Sequence, residues 1–233
     1  MRPLPDFKPV TPAELDWIEA RKIGQLRLPA GAMLIEEGGR DERLYPLLVG
    51  WAFRFKTLAD GRRQILNILL PGDLAGLQAE LLDAAPHGVE TITPVTLCAF
   101  RRDTVAALAR DHANLAYDIT WLAAHGERLV DDAVLSVGRR NATERLAALL
   151  VHLYKRAVSV GLGVDGGVPF PLTQAHLADT LGLSAVHVNR VLQRLRRDGL
   201  IRLADGRLHI GDLRALRRVA AYFEQPAPRR PLF

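Results

Sequence analysis

The chain has 233 residues, 48% of them hydrophobic, which suits one large domain or two modest ones and argues against disorder. It has no run of about 20 apolar residues and no apolar signal segment near its N-terminus, so we expect a cytoplasmic protein without a membrane span. Cys98 is the single cysteine; it can form no internal disulfide and cannot hold a structural zinc or an iron–sulfur cluster by itself.

Charge is distributed unevenly along the chain. The formal net charge is +5, but residues 141–233 carry 14 Lys and Arg against 7 Asp and Glu, or +7. Residues 1–140 carry 17 against 19, or −2. This asymmetry favours a nucleic-acid-binding module in the C-terminal part, joined to a near-neutral module. An arginine-rich solvated surface would give the same numbers, so charge alone leaves both interpretations open.

Short apolar runs separated by turn residues follow a first short helix. Thr11, Pro12 and Glu14 form a capping box with proline at the first helical position, which predicts that helix. The predicted strands lie at 33–35, 44–49, 52–58, 64–70 and 95–100. Asp60-Gly61 lies between two of them and predicts a hairpin. Many short strands indicate a sandwich, barrel or β-roll, in which Cys98 is expected to be a buried, inert thiol.

A long amphipathic helix is predicted over about 113–137, after a shorter helix capped by Asp103. Its apolar seam consists of Leu115, Ile119, Leu122, Gly126, Leu129 and Ala133. Spacings of four and three are typical of a coiled coil, so we predict a dimer interface. The alternative is a helix that packs on its own β domain. Gly138 and the two arginines after it predict a hinge, and Asn141 with Glu144 predicts the start of another helix.

Two short helices joined by a glycine turn are predicted in the C-terminal part. Thr173 is predicted to cap the first helix and Ser184 the second, with Gly182 in the turn between them. A hairpin, or wing, is predicted around Asp205-Gly206, and Asp212 is predicted to cap a last helix. This order of elements is typical of a winged helix-turn-helix.

The second of these helices carries side chains that suit DNA. Its inward positions are predicted to be Val188, Val191, Leu192 and Leu195. The predicted DNA contacts are Thr173, Gln174, Ser184, Ala185, Val186, His187, Asn189, Arg190, Gln193 and Arg194. In a major groove Arg190 can read guanine through two hydrogen bonds, worth about 1–3 kcal/mol of discrimination. Thr173, Gln174, Ser184 and the helix N-terminal amides would bind phosphates. A structural or protein-binding unit is the alternative.

The element order resembles the Crp/Fnr family of bacterial regulators over almost the whole chain. The matching residues of the β region are Gly50, Asp60-Gly61 and Leu70-Pro71-Gly72-Asp73. Those of the helix-turn-helix are Leu172-Thr173-Gln174, Leu177-Ala178, Leu181-Gly182-Leu183-Ser184, Val188, Arg190, Leu192 and Gly199-Leu200-Ile201.

This resemblance implies an α+β protein of three parts. Residues 1–112 would form an antiparallel, jelly-roll-like β-roll effector domain of the cyclic-nucleotide-binding type. Residues 113–140 would form the dimerisation helix and hinge, and residues 141–233 the winged helix-turn-helix domain. The implied protein is a homodimer on a double-stranded DNA operator of twofold symmetry, with half-sites about 34–36 Å apart. RNA polymerase is a candidate further partner that leaves no readable motif.

The sequence departs from the family pattern at the residues that would contact the effector. Members that bind cyclic AMP carry a Glu soon after the Pro-Gly-Asp turn and then an Arg-Ser pair for the cyclic phosphate, whereas Leu77 and Pro86-His87 stand at these positions here. Because a buried phosphate needs a paired cation, we expect the usual cyclic-AMP contacts to be absent. The predicted effector pocket consists of Gly72, Asp73, Leu77, His87 and Gly88.

Cofactor and operator stay open at this stage. The oxygen-sensing branch of the family uses a cluster of cysteines, so with Cys98 alone no iron–sulfur cluster is expected. Val186 replaces the family's usual Glu among the base-reading residues, which leaves the operator sequence unknown. Whether the protein activates or represses transcription, and which genes it controls, is equally open.

Two other functions are compatible with parts of the sequence. The first is a ligand-independent regulator controlled by its abundance, which nothing in the sequence separates from an effector-controlled one. The second is a β-barrel enzyme with a DNA-binding tail. Small-barrel metal enzymes need a His-x-His pair with a Glu close behind, and the sequence has no His-x-His. We therefore predict no catalytic residues and no metal site.

Overall fold

A computed structural model describes residues 7–40, 43–78, 84–222, 229 and 231. Helix α1 (Pro12–Arg21) is followed by eight strands, and the Thr11–Glu14 capping box is formed as predicted. The strands are β1 (Lys22–Leu28), β2 (Met33–Ile35), β3 (Arg43–Val49), β4 (Ala52–Thr57), β5 (Arg63–Leu69), β6 (Leu74–Ala75), β7 (Gly88–Thr91) and β8 (Val95–Arg101).

These strands form two four-stranded antiparallel sheets. The strand orders are β1-β8-β3-β6 and β2-β7-β4-β5. The buried residues between them include Tyr45, Leu47, Val89 and Leu97, which form a compact apolar cluster. The predicted antiparallel β-roll is confirmed, and Cys98 is buried in β8 as expected. Burial raises the pKa of its thiol, which fits an inert role.

Two glycines allow turns that other residues would strain. Gly61 closes the predicted β4–β5 hairpin with φ +85°, and its amide donates a hydrogen bond of 2.9 Å to the carbonyl of Leu58. Gly50, between β3 and β4, has φ +93°, and a Cβ there would lie 2.3 Å from the carbonyl oxygen of Pro94. The left-handed backbone favours glycine at both positions, and at Gly50 the backbone clash also leaves no room for a side chain.

Two helices lead from the β-roll to the C-terminal region. They are α2 (Thr104–Asp111) and α3 (Ala113–Arg139), whose 27 residues span about 40 Å. The prediction that Asp103 caps α2 was wrong, because its carboxylate accepts from Arg101 Nε instead of from the helix amides. The break in the helix falls at the last of the three predicted hinge residues. Gly138 remains helical, and the backbone becomes extended only at Arg140 (φ −83°, ψ 143°).

The C-terminal region is a helical bundle with a small sheet. Asn141 and Glu144 form the predicted capping box of α4. The elements are α4 (Ala142–Ser159), β9 (Gly167–Pro169), α5 (Gln174–Leu181), α6 (Ala185–Arg197), β10 (Ile201–Ala204), β11 (Arg207–Ile210) and α7 (Leu213–Val219). The predicted hairpin is confirmed, and β9 extends it to a three-stranded antiparallel sheet in the order β10-β11-β9. Among the described residues, no helix combines the length and apolar character that crossing a bilayer requires.

Apolar contacts run continuously from the β-roll into this bundle. One cluster of buried side chains contains Trp51, Phe53 and Phe55 from the β-roll together with Leu150 of α4 and Leu177 of α5. The helix-turn-helix is therefore held against the outer face of the β4–β5 hairpin by a shared core. Burial of this kind stabilises by roughly 25 cal/mol for each Å² of apolar surface removed from water.

Candidate functional site

The helix-turn-helix is formed by α5, a glycine turn and α6. Thr173 Oγ1 accepts from the amide of His176 at 3.1 Å, and Ser184 Oγ accepts from the amide of His187 at 3.2 Å, so both predicted caps are confirmed. Gly182 ends α5 in the left-handed conformation at φ 64° and ψ 39°. Each capping hydroxyl keeps its own proton, which it can still donate to a phosphate oxygen.

The face of α6 opposite the core is open to solvent. The four predicted inward residues, Val188, Val191, Leu192 and Leu195, are buried. All ten predicted DNA contacts are exposed, namely Thr173, Gln174, Ser184, Ala185, Val186, His187, Asn189, Arg190, Gln193 and Arg194. Val186 is the most open of the large apolar residues that the structure describes, at 72% exposure. An exposed apolar residue beside free polar groups suits a groove lined by base edges.

Arginines dominate the charge of this face. Arg190 makes no hydrogen bond or ion pair with the described residues, so its guanidinium is available to a ligand. Arg194 Nε lies 3.9 Å from a carboxylate oxygen of Asp198, one turn further along the helix. Arg196 Nη2 donates to the carbonyl of Leu203 at 3.1 Å and so ties α6 to the wing. Arg190 is the least restrained of these cations.

The wing contributes an arginine that the sequence reasoning missed. Arg202 is exposed on β10, while its neighbour Ile201 is buried. The period-two alternation of a strand would have predicted this outward position. Arg202 adds to the positive surface on the same small domain as α6, where it can bind a phosphate.

The predicted effector pocket contains a buried ion pair. Asp73 Oδ2 accepts from the amide of Leu70 at 2.6 Å and also from Arg156 Nη2, which reaches it from α4. Arg156 Nη1 donates to the carbonyl of Ile68 at 2.8 Å. Both charged side chains are only 10% exposed. We predicted a ligand contact for Asp73, whereas here it joins the β-roll to the C-terminal bundle.

Each of the other four predicted pocket residues has its own contacts within the protein. The amide of Gly72 donates to the carbonyl of Leu47 at 2.7 Å. Leu77 packs against apolar clusters of α2, α3 and β8. A Cβ on Gly88 would lie 2.5 Å from the ring of Phe55, so no side chain fits there. His87 is buried, and burial followed by the charge of Arg54 lowers its pKa to about 4.

Arg54 is a second residue that the sequence reasoning missed. It lies on β4 between Phe53 and Phe55, both of which are buried. Its Nη1 donates to Gln78 Oε1 at 3.3 Å, while its Nε is buried and has no hydrogen-bond partner among the described residues. Only Leu77 and Pro86-His87 were considered for the phosphate contacts, and Arg54 precedes both positions in the sequence.

The predicted dimer seam on α3 is largely covered by its own subunit. Leu115, Ile119 and Leu129 are only 2%, 7% and 8% exposed, and the first two pack in a cluster with Leu108 of α2. Leu122 and Gly126 are half-buried, and Ala133 is exposed. A neighbouring stripe, which begins one residue after Ile119, is exposed at each of its positions from 120 to 137. It consists of Thr120, Ala123, Glu127, Val130, Val134 and Val137, and we call it the outer stripe.

A cluster of polar contacts fixes α5 against the β4–β5 hairpin. Arg63 forms ion pairs with Glu90 of β7 at 3.1 Å and with Asp179 of α5 at 3.0 Å. Its guanidinium also lies over the ring of Phe53, 4.8 Å from the centroid. Gln64 Nε2 donates to the carbonyl of Thr180 at 3.1 Å. The orientation of the helix-turn-helix is therefore coupled to the tip of one β-roll hairpin.

Comparison with known proteins agrees with this architecture. Residues 144–219 match the Crp-like helix-turn-helix domain, and residues 25–112 match the cyclic nucleotide-binding domain. The solved structure of FixK2 from Bradyrhizobium japonicum has a TM-score of 0.77 at 24% identity, over 86% of this chain and 98% of that one. That likeness shows the fold. TTHB099, a transcriptional regulator of Thermus thermophilus, has a TM-score of 0.69 at 26% identity, over 84% and 97%.

Similar sequences are named as regulators. The transcriptional activatory protein AadR of Rhodopseudomonas palustris is 31% identical over 83% of this chain and 79% of its own length. The nitrogen fixation regulation protein FixK of Rhizobium meliloti is 32% identical over 76% of this chain and 77% of its own length. Both matches cover most of each protein. The chain therefore belongs to the Crp/Fnr family of DNA-binding transcription regulators.

Proposed function

We propose that this protein binds a twofold-symmetric operator as a homodimer, with α6 of each subunit in the major groove. The observation that carries the proposal is the open face of α6, where Arg190 is exposed and unpaired among the described residues. The N-terminal turn of α6 would meet the base edges, and the hydroxyls of Thr173 and Ser184 would hold phosphates. RNA polymerase remains a candidate further partner.

The outer stripe of α3 is the surface that we propose for pairing the subunits. Its six positions repeat at spacings of three and four, which is the pattern of a coiled-coil seam. Three of them are valines, and Val134 is 67% exposed. Apolar residues exposed along a helix in this register lose contact with water when a second copy packs against them. Leu122, Gly126 and Ala133 of the predicted seam would lie beside this interface.

For the effector, we propose that the β-roll does not bind cyclic AMP through the family's usual contacts. Leu77 packs in apolar surroundings, and His87 is a buried imidazole whose lowered pKa keeps it neutral at physiological pH. Neither supplies the cation that a buried cyclic phosphate requires. Operator binding that added cyclic AMP leaves unchanged would support this proposal.

Replacing Arg190 with alanine is expected to reduce affinity for the operator by about 10–100-fold while sparing random DNA. The operator is first recovered by incubating purified protein with random duplexes and sequencing those retained; an inverted repeat supports the dimer. Binding of Arg190→Ala to this operator and to a scrambled duplex is then measured by fluorescence anisotropy at fixed salt.

Arg197→Ala is the matched control, because Arg197 is exposed on the same helix nearer its C-terminus. As a phosphate contact, it should weaken binding to both duplexes by a similar factor. If Arg190→Ala also weakens both duplexes equally, Arg190 is a phosphate contact, and the proposed reading of bases by α6 is wrong.

A further inference from the structure

A cavity of about 300 Å³ lies where the β-roll, the long helix and the helix-turn-helix meet. Its walls come from β5, the second half of α3, the middle of α4, the end of α5 and Tyr222. We call it the hinge cavity. None of the predicted effector residues, Gly72, Asp73, Leu77, His87 and Gly88, lines it. Its volume is at the lower end of the range of about 300–1,000 Å³ typical of small-molecule sites.

Positive charge predominates in the walls of the hinge cavity. Arg128, Arg140 and Arg145 line it, against the single carboxylate of Asp132. None of the three arginines forms an ion pair with a carboxylate among the described residues. Such a surplus of cations beside partly enclosed walls attracts an anion more strongly than it would on an open surface.

Two of the arginines already donate hydrogen bonds to other groups of the protein. Arg145 donates to the carbonyls of Arg140, Leu181 and Val137 at 2.8, 3.2 and 2.6 Å. Arg140 Nη1 donates to Ser136 Oγ at 2.6 Å, and its Nη2 donates to the carbonyl of Ala221 at 3.3 Å. These bonds shape the turn between α3 and α4. They leave the positive charges of both groups unneutralised near the cavity.

Arg128 differs from these two in having unused donors. Its Nη2 lies 3.2 Å from His125 Nδ1, and its Nε is buried without a hydrogen-bond partner in the described part of the chain. Its Nη1 makes no hydrogen bond with the described residues, so it can donate to an anionic acceptor in the cavity.

The rest of the lining is suited to an apolar body. Leu66 of β5 and Leu149 and Leu153 of α4 present aliphatic surface. His152 adds a polar group without charge, because burial, and then the charges of Arg156 and His125, lower its pKa to about 3. A neutral imidazole can donate one hydrogen bond and accept another. The lining of the cavity thus combines arginine side chains with an apolar floor.

We propose that the hinge cavity binds a small organic anion whose charged group is held by Arg128 and whose apolar body lies on Leu66, Leu149 and Leu153. Because the walls belong to β5, α3 and α5, an occupant fixes the helix-turn-helix relative to the β-roll. The anion thereby changes operator affinity, a consequence that rests on the proposed function. The binding itself does not rest on it.

The test uses benzoate and phenyl phosphate as anionic probes and benzamide as a neutral one. Binding to the full chain, without DNA, is measured by saturation-transfer NMR titration. At least one anion should bind about tenfold more tightly than benzamide. Tighter binding of benzoate would indicate that the site prefers a carboxylate, and tighter binding of phenyl phosphate that it prefers a phosphate. Arg128→Gln should remove this preference, whereas Arg139→Gln, an exposed arginine of α3 outside the cavity, should retain it.

A second variant separates loss of the site from loss of folding. Leu149→Phe keeps Arg128 but takes up part of the apolar floor, so it should weaken binding of all three probes while its thermal transition stays near that of the wild type. The proposal is overturned if neither anion binds, if benzamide binds equally well, or if Arg128→Gln and Leu149→Phe bind anions like the wild type. Unchanged operator affinity at a saturating concentration of the bound anion overturns the regulatory consequence alone.

Discussion

Arg156→Met is expected to lower the free energy of unfolding by about 3–5 kcal/mol. The substitution removes the cation that reaches Asp73 from α4, while the carboxylate stays buried at 10% side-chain exposure. It also removes the hydrogen bond from Arg156 to the carbonyl of Ile68. Desolvation of a carboxylate is tolerated only with a close partner, so the loss should greatly exceed that of a surface pair. Urea unfolding at one fixed protein concentration measures it.

The control for this variant is Arg62→Met, which breaks the exposed pair between Arg62 and Asp60. Surface pairs contribute about 0–1 kcal/mol, so this variant should unfold close to the wild type. Asp73→Asn combined with Arg156→Met removes both charges and should recover part of the lost stability. If Arg156→Met unfolds like Arg62→Met, the buried pair does not hold the β-roll to α4.

The second large effect concerns the outer stripe. Val130→Asp together with Val134→Asp should weaken dimerisation by at least about a thousandfold, because twofold symmetry adds four carboxylates to the valine part of a seam that already carries Glu127 from each subunit. Sedimentation velocity should show a monomer at concentrations where the wild type is a dimer. Operator affinity should fall when the dimer is lost, since each half-site would then be bound independently by a monomer.

These valines are better test positions than the seam predicted from the sequence. Val130 and Val134 are 40% and 67% exposed, so aspartate there leaves the core of the subunit intact. Leu129 is only 8% exposed, and aspartate at that position would destabilise the subunit itself. Val158→Asp, at a valine of α4 that is 48% exposed, is the control and should remain dimeric. If the Val130→Asp, Val134→Asp variant is still a dimer, the interface does not lie on the outer stripe.

Local patterns predicted the helix-turn-helix well because the determinants lie close together in sequence. Thr173 and Ser184 cap helices whose first turns contain the amides they bind, and Gly182 supplies the left-handed residue between them. The β4–β5 hairpin was predicted for the same reason, from a two-residue turn between apolar runs. Propensity alone started the hinge two residues too early, since Gly138 remains helical and the penalty of about 1 kcal/mol for glycine is too small to end a long helix.

Features that depend on distant packing could not be predicted from one sequence. The helix α3 carries two apolar stripes one residue apart, which differ by about 100° around its axis. Only the tertiary structure shows that Leu115 and Ile119 face their own β-roll while Val130 and Val134 face solvent. Asp73 and Arg156 are 83 residues apart. The one local signal was Arg156 itself, which falls on the buried face of α4 three residues after Leu153.

The shared core affects whether the β-roll and the helix-turn-helix domain can fold separately. Trp51, Phe53 and Phe55 of the β-roll lie in one apolar cluster with Leu177 and Leu195 of the helix-turn-helix. A chain severed at Arg140 would expose aromatic surface on one fragment and leucines on the other. We therefore expect the unit that folds cooperatively to be larger than the helix-turn-helix domain, so that the boundary visible in the sequence does not separate two independently folding parts.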